Sequence, residues 1–192
     1  ILIKDAYALE TLCKVDTIVL DKTGTLTEGI PVVVDSCWLT ESNVCYLDIL
    51  YTAELKSEHP LASAIIRWLE DSGASTCEAG NFESLTGRGI RMEVSGVTYW
   101  VGSHGLLEVF GSEIPDDTMK QIRKWQDNGI SVVYYGEGNR LLAVLAISDR
   151  IKPTSAAAVK TLTDMGIEVH LLTGDGVKTA ERVADTLGIK IF

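Results

Sequence analysis

Residues 17–27 read Thr-Ile-Val-Leu-Asp-Lys-Thr-Gly-Thr-Leu-Thr, and this stretch decides the fold. Its first four residues are a short apolar, β-branched run, which is typical of a buried strand in a parallel sheet. Asp21 follows at the carboxyl end of that strand, where open α/β sheets bind their ligands. A carboxylate there can attack a phosphoryl group and carry it as an aspartyl phosphate. The residues after it, Thr23, Gly24 and Thr25, favour a tight turn that cradles phosphate oxygens.

The end of the chain repeats this strand-turn-helix pattern. Apolar residues recur at helical spacing from Ala156 to Met165, and Gly166 ends that predicted helix. Residues 167–172 then predict a strand, and a glycine-rich turn leads to a helix over 178–187. Strands that alternate with helices in this way indicate a parallel α/β sheet.

The middle of the chain has a different pattern of predicted strands. Residues 90–94 and 98–101 predict a hairpin, and residues 131–135 pair with 141–147 in a second hairpin. The run 141–147 is the best candidate for a membrane-spanning stretch, but its seven residues predict a buried strand instead. Antiparallel hairpins inside a βαβ chain indicate an inserted α/β domain that contains an antiparallel sheet.

We therefore predict two domains. A parallel core, the phosphorylation domain, comes from residues 1–32 and 148–192, and residues 33–147 form the insert. The first residue is not methionine, and the last two directly follow a strand-like stretch. This led us to expect a piece of a longer protein whose core is truncated at its C-terminus.

Charge and composition exclude several classes. The 27 acidic and 17 basic side chains give a net charge of −10, which opposes binding to nucleic acid. No apolar run approaches the roughly 18 to 20 residues that cross a bilayer. The four cysteines are irregularly spaced with no Cys-x-x-Cys pair, so a zinc or copper site built from them is not expected.

Residues 21–27 resemble the phosphorylation motif of the P-type ATPases, whose phosphorylated domain has the haloacid-dehalogenase fold. Two further stretches agree in order. Residues 149–153, Asp-Arg-Ile-Lys-Pro, resemble the family's hinge motif, and residues 173–175, Thr-Gly-Asp, resemble its loop beside the phosphate. The resemblance covers the whole chain and implies a haloacid-dehalogenase-like core, incomplete at the C-terminus. It implies catalytic roles for Asp21, Lys22, Thr23, Asp149, Lys152, Thr173, Gly174 and Asp175.

The same resemblance implies ATP and Mg²⁺ as cofactors. The Asp21 carboxylate and the Thr23 carbonyl would be metal ligands. The family's third ligand, from a later aspartate loop, has no match before Phe192. We therefore expect the chain by itself to bind nucleotide but to form aspartyl phosphate poorly.

Residues 57–61, Ser-Glu-His-Pro-Leu, open a predicted helix with a proline in its first turn. They resemble the Ser-Glu-His-Pro motif of the heavy-metal-transporting P-type ATPases. The resemblance implies that His59 lies beside the adenine and that Glu54, five residues earlier, recognises the base. Without that context, His59 is simply the residue before a helix-starting proline.

Two glycine motifs complete the predicted nucleotide site. Gly87 and Gly89 resemble the subclass's Gly-x-Gly element, where missing side chains let the nucleotide approach the backbone. Gly102 and Ser103 stand where the family has Gly-Asn, so a hydroxyl replaces an amide there, and Gly176 stands where related pumps usually have Asn. We expect ATP binding to be weakened by His59→Gln or Gly89→Val, with the fold intact.

A P-loop is the rival interpretation of residues 174–179. That motif needs four residues between its glycines and a glycine directly before the lysine, and Val177 precedes Lys178 here. The spacing therefore excludes it.

Three functions are compatible with these motifs. The first is the ATP-binding, phosphorylated part of a P-type ATPase that exports a heavy metal, copper before zinc, cadmium or lead. The alternatives are a haloacid-dehalogenase-type phosphatase and a nucleotide-binding module without catalysis. Such phosphatases usually place a second Asp two residues after the nucleophile as general acid and base, and Thr23 stands there. The first function implies ATP and the pump's own transmembrane and actuator domains as partners, at the cytosolic face of a membrane. It also implies a transported metal ion that this part does not bind.

Overall fold

The computed structural model describes residues 6–40, 44–174 and 177–189. The chain divides into two compact units, each described by itself below. Unit 1 comprises residues 1–29 and 149–192, and unit 2 comprises residues 30–148. The chain therefore leaves unit 1 once and returns to it once.

Unit 1 is built around a parallel pair of strands. The elements wholly within it are α1 (Ala6–Leu12), β1 (Thr17–Asp21), α6 (Ser155–Asp164), β8 (Glu168–Leu172) and α7 (Val177–Leu187). β1 and β8 pair in parallel, with Asp21 opposite Leu172 in the register. The expected parallel arrangement is thus confirmed for these two strands.

Only one face of this pair is packed. Ile18 and Leu20 of β1 join the core that Val169 and Leu171 of β8 form with residues of α6 and α7. On the opposite face Val19 is 59% exposed. The prediction that β1 is a buried strand is therefore wrong, because the helices cover one side and the strand alternates between packed and open positions.

Unit 2 contains most of a six-stranded sheet. The strands are β2 (Thr27–Trp38), β3 (Phe82–Leu85), β4 (Gly89–Val94), β5 (Val97–Gly102), β6 (Ser131–Glu137) and β7 (Arg140–Ile151). Their order is β2-β7-β6-β5-β4-β3, and the four pairings from β3 through β7 are antiparallel. The inserted antiparallel sheet is confirmed.

Helices cover both faces of this sheet. They are α2 (Val44–Glu54), α3 (Ala62–Asp71), α4 (His104–Val109) and α5 (Asp116–Asp127). Residues of α2 and α3 pack into one hydrophobic core, and residues of α4 and α5 pack into another. Residues 141–147 are all buried because β7 contributes to both cores. This explains why they form an unbroken apolar run.

The structure also contains elements that the sequence did not predict: α1, β2, β3 and α4. β2 carries Gly29 and Pro31, which weaken a strand signal. It lies at the edge of the sheet, where a proline is tolerated because its missing N–H leaves no ladder bond unmade. The Pro31 carbonyl accepts a hydrogen bond from the Arg67 guanidinium at 2.9 Å.

Candidate functional site

Asp21 is the last residue of β1, and its side chain is exposed. The chain then turns through residues 22–26, and the Thr27 N–H closes the turn on the Lys22 carbonyl. Gly24 has φ +76°, a conformation that residues with a side chain rarely adopt. A side chain at Gly29 would come within 3.0 Å of the Gly24 Cα, so the turn is also tightly packed. We call residues 21–27 the Asp21 loop.

Asp149, which is 122 positions from Thr27 in the sequence, forms hydrogen bonds with this loop. The buried Thr27 hydroxyl accepts a hydrogen bond from the Gly24 N–H at 3.2 Å and donates to one Asp149 oxygen. The other Asp149 oxygen accepts from the Gly29 N–H at 3.0 Å. The carboxylate therefore fixes the shape of the loop through charge-assisted hydrogen bonds. The contacts to Thr27 and Gly29 make Asp149 a positioning residue.

Lys152 contacts the same loop. Its ammonium donates to the Gly24 carbonyl at 2.7 Å and to the Thr25 carbonyl at 3.0 Å. The Ser155 hydroxyl donates to the Leu26 carbonyl at 2.8 Å. An ammonium has three N–H donors, and these two bonds use two of them. A positive charge therefore lies directly beside the turn that follows Asp21.

The other predicted catalytic residues lie near the same strand ends. The register of β1 and β8 puts Thr173 and Gly174 directly after the strand that neighbours Asp21. Lys22 is partly buried at the start of the loop, and Thr23 is exposed within it. Asp175, like Gly176, lies outside the described residues.

The predicted magnesium ligands are chemically suitable. The Asp21 carboxylate and the Thr23 carbonyl belong to one loop and offer the hard oxygen ligands that Mg²⁺ prefers. Within residues 6–40, 44–174 and 177–189, no group of three His, Cys, Asp or Glu side chains forms a metal site. Across the same residues, no helix is both long enough and apolar enough to span a membrane.

Unit 2 contains a cavity of about 380 Å³. Its wall is formed by the end of α2, the start of α3, the turn between β3 and β4, and parts of β5 and β6. All six residues predicted to bind the cofactor line it: Glu54, His59, Gly87, Gly89, Gly102 and Ser103. The sequence separates them by up to 49 positions, and the fold brings them to one wall.

Glu54 is the most buried polar group of this wall. It is 4% exposed, and burial raises the pKa of its carboxyl to about 7, although a hydrogen bond from Ser57 lowers it in part. At neutral pH the side chain is thus poised between a carboxylate, which only accepts hydrogen bonds, and a carboxylic acid, which also donates one.

His59 is held by the backbone at the start of α3. Its side-chain Nδ1 accepts a hydrogen bond from the Leu61 backbone N–H at 3.2 Å. The backbone N–H of His59 donates to the Ser57 hydroxyl at 3.3 Å. Because Nδ1 is an acceptor, the neutral imidazole carries its hydrogen on Nε2. His59 is exposed, so this donor is available to a ligand.

Two of the glycines have a structural reason to be glycine. Gly89 and Gly102 face each other in the β4–β5 register. A Cβ on Gly89 would lie 2.1 Å from the Val101 carbonyl oxygen, and one on Gly102 would lie 2.1 Å from the Arg88 carbonyl oxygen. The expectation that Gly89→Val leaves the fold intact is therefore wrong, because the side chain would collide with backbone. Gly87 differs, since nothing lies within 4 Å of its Cβ position.

Several contributors to these sites had no role in the sequence prediction. Thr27 and Ser57 belong to the quoted motifs, but only the structure gives their hydrogen bonds to Asp149 and Glu54. Ser103 stands where the family has an asparagine amide. It is exposed, and its N–H donates to the Arg88 carbonyl at 2.7 Å.

The burial of Glu54 gives a testable pH dependence. Between about pH 4.5 and 7 the folded protein holds a proton on Glu54 that the unfolded chain has released, so rising pH favours unfolding. We expect unit 2 to lose on the order of 3 kcal/mol of stability across this window, and Glu54→Gln to remove that slope. Urea unfolding followed by fluorescence measures it, because all four tryptophans lie in unit 2.

Ser57→Ala is the companion variant. It removes the hydrogen bond that lowers the pKa of Glu54, so the loss of stability should extend to higher pH. A wild-type protein whose stability is flat from pH 5 to 8 would contradict this account of Glu54.

The fold and the whole-chain comparisons agree on the class of protein. The chain belongs to the haloacid dehalogenase-like hydrolase family, whose model matches residues 15–192. Within that family it is similar to the heavy-metal-transporting P-type ATPases, as the motifs predicted. It is 37% identical over 190 residues to a copper-transporting P-type ATPase of Rhizobium leguminosarum bv. viciae, covering 98% of this chain and 22% of that protein.

Two further relatives extend the similarity. The chain is 36% identical over 198 residues to a probable cadmium-transporting ATPase of Listeria monocytogenes, covering 98% of this chain and 28% of that protein. All of the chain aligns with a crystal structure of a zinc-transporting PIB-type ATPase in the E2.Pi state, with a TM-score of 0.83 and 30% identity. That alignment covers 31% of the larger chain. This chain thus spans between a fifth and a third of the length of these relatives.

Proposed function

We propose that this chain is the ATP-binding and phosphorylated part of a P-type ATPase that exports a heavy metal. ATP binds in the unit 2 cavity, and its terminal phosphoryl group is transferred to Asp21. Hydrolysis of the aspartyl phosphate then drives transport by the rest of the pump. The catalytic residues of the proposal are those of the Asp21 loop with Lys152, Thr173, Gly174 and Asp175, and Asp149 is its positioning residue.

The observation that carries this proposal is the Asp21 loop. An exposed carboxylate stands at the end of a parallel strand, on a turn that Asp149 and Lys152 hold through four hydrogen bonds with Thr27, Gly29 and two carbonyls of the turn. A nucleophile that attacks a phosphoryl group must be fixed in line with the bond that breaks. The tied loop provides that rigidity.

In the proposed phosphoryl transfer, Asp21 is the nucleophile and ADP is the leaving group. A carboxylate oxygen forms a bond to the terminal phosphorus, the bond from phosphorus to the bridging oxygen breaks, and ADP leaves with that electron pair. Water later hydrolyses the acyl phosphate and restores the carboxylate. The ammonium of Lys152 offsets part of the repulsion between Asp21 and the phosphate oxygens, which at an effective dielectric near 20 costs about 4 kcal/mol per charge pair. Mg²⁺, held by the Asp21 carboxylate and the Thr23 carbonyl, supplies further positive charge when bound.

The cavity supports ATP as the donor. Its buried end carries Glu54, which can pair with a base edge, and the exposed His59 offers an Nε2–H donor. Gly87 has open space where a side chain would stand, so a ligand can approach the backbone there. A cavity of about 380 Å³ is in the size range of small-ligand sites.

The cargo and the cellular setting are part of the proposal. Copper is the proposed metal because copper-transporting ATPases from several organisms match the chain at 34 to 38% identity, with cadmium and zinc as the alternatives that the other two relatives name. The pump's transmembrane and actuator domains would be the partners, and the chain would lie at the cytosolic face of a membrane. The transported ion would bind elsewhere in the pump.

Titration with ATP and Mg²⁺ under backbone NMR tests the nucleotide site. We expect shifts at residues that line the cavity, and His59→Gln should weaken ATP binding about three- to tenfold because one hydrogen bond is lost. His170→Gln, a histidine on β8 in unit 1, is the matched control and should bind ATP like the wild type.

Shifts confined to the residues around Thr173, with none at His59 or Gly89, would refute nucleotide binding in the cavity. Equal losses in His59→Gln and His170→Gln would show that the effect of His59 is not specific to the cavity.

A further inference from the structure

The cavity is lined by more acidic groups than permanently basic ones. Glu54 and Glu58 are acidic, His59 is titratable, and Arg88 is the one permanent cation among the described residues that line it. The chain as a whole carries a net charge of −10. Among the described residues of the wall, Arg88 is therefore the one that offers a permanent positive charge to a ligand with several phosphate charges.

The backbone of Arg88 is fixed on both sides. Its N–H donates to the Leu85 carbonyl at 2.9 Å, and its carbonyl accepts from the Ser103 N–H at 2.7 Å. The close approach of Gly102 to the same carbonyl locks the turn against β5. The guanidinium thus extends from a rigid base at the cavity wall, so little backbone order remains to be lost on binding.

The side chain of Arg88 is exposed, and no described residue forms an ion pair with it. Arg91, three residues along, is different, because its guanidinium lies 2.6 Å from a Glu83 oxygen. Arg91 does not line the cavity. Of these two arginines, Arg91 already forms an ion pair with a protein carboxylate, whereas Arg88 forms none with the described residues.

We propose that Arg88 binds the polyphosphate of the nucleotide and makes the cavity select nucleoside triphosphates over nucleosides. This inference rests on the proposed nucleotide site. A guanidinium donates two parallel hydrogen bonds to phosphate oxygens, a geometry that a lysine ammonium does not reproduce. The base then lies at the buried end with Glu54, and the phosphates lie at the exposed end, where the Gly87–Gly89 turn opens to solvent.

Calorimetric titration of the 192-residue chain with ATP and with adenosine tests the proposal. Arg88→Gln should weaken ATP binding about tenfold, since a charge-assisted contact is lost, and should leave adenosine binding within about twofold. Arg88→Lys should recover part of the loss. Arg91→Gln removes the same formal charge without touching the cavity, and both ligands should then bind as they do to the wild type. Added salt should weaken ATP binding by the wild type more than by Arg88→Gln.

Each other outcome overturns a defined statement. Unchanged ATP binding by Arg88→Gln refutes the phosphate contact. An equal loss for ATP and adenosine, or an equal loss in Arg91→Gln, refutes it as well, because the effect would then be structural or due to net charge. If the wild type binds neither ligand, the proposed nucleotide site fails together with the inference. Adenosine binding without selection for ATP refutes the inference alone.

Discussion

In the proposed pump, Asp21→Asn should reduce phosphate incorporation from ATP by at least on the order of 10³-fold. The amide has no negative charge and is a poor nucleophile, whereas its size matches that of the carboxylate. Asp21 is exposed, and no buried group among residues 6–40, 44–174 and 177–189 bonds to its side chain, so the fold should be retained. Terminally labelled ATP with Mg²⁺, followed by an acid gel, measures the acyl phosphate directly.

Asp164→Asn is the matched control in the same unit. Asp164 ends α6 and forms an exposed ion pair with Lys160 at 2.8 Å, a contact worth less than about 1 kcal/mol. This variant should incorporate phosphate at the wild-type level. Label that survives in Asp21→Asn, or that is lost in both variants, would contradict the assignment of Asp21 as the acceptor.

The second large effect concerns stability. Gly89→Ala should destabilise unit 2 by about 3 to 5 kcal/mol, because its Cβ would lie 2.1 Å from the Val101 carbonyl oxygen and its φ of +144° strains any side chain. The collision is with backbone of the neighbouring strand, which cannot move without breaking the β4–β5 pairing. Urea unfolding followed by tryptophan fluorescence measures the loss.

Gly87→Ala separates this effect from positive φ alone. Gly87 has φ +71° but open space at its Cβ position, so we expect a cost of about 1 kcal/mol. If Gly89→Ala were no more costly than Gly87→Ala, the contact of Gly89 with Val101 would not constrain the hairpin as described. Gly87→Ala should also be tested for ATP binding, because a substitution there can affect the ligand without damage to the fold.

The elements predicted well are those with strong local signals. β8 and α7 are predicted over 167–172 and 178–187 and lie at Glu168–Leu172 and Val177–Leu187, because a short apolar run, a glycine-rich turn and a helical period mark them in the sequence. The two hairpins are recognisable from pairs of strand-like runs separated by short turns that contain Gly96 and Gly138. β2 and β3 were missed because their apolar residues do not alternate, and α4 because six residues are too few for a helical period.

The candidate site divides in the same way. The motifs located the Asp21 loop and six residues of the cavity wall, Glu54, His59, Gly87, Gly89, Gly102 and Ser103, although their roles stay predictions. The sequence could not reveal the bonds that tie Thr27 to Asp149, the burial of Glu54, or the contact between Gly89 and Gly102. Each of these depends on tertiary packing, and no short pattern encodes which distant backbone will approach.

The bond between Thr27 and Asp149 joins residues 122 positions apart, and this separation bears on the order in which the protein folds. Closing a flexible loop of that length costs on the order of 4 kcal/mol in chain entropy. Unit 2 is contiguous and can form its own core first, and its two ends then lie on the neighbouring strands β2 and β7. Once it has folded, most of the closure entropy of unit 1 has already been lost. The insert therefore acts as an internal template, and the Asp21 loop is assembled late.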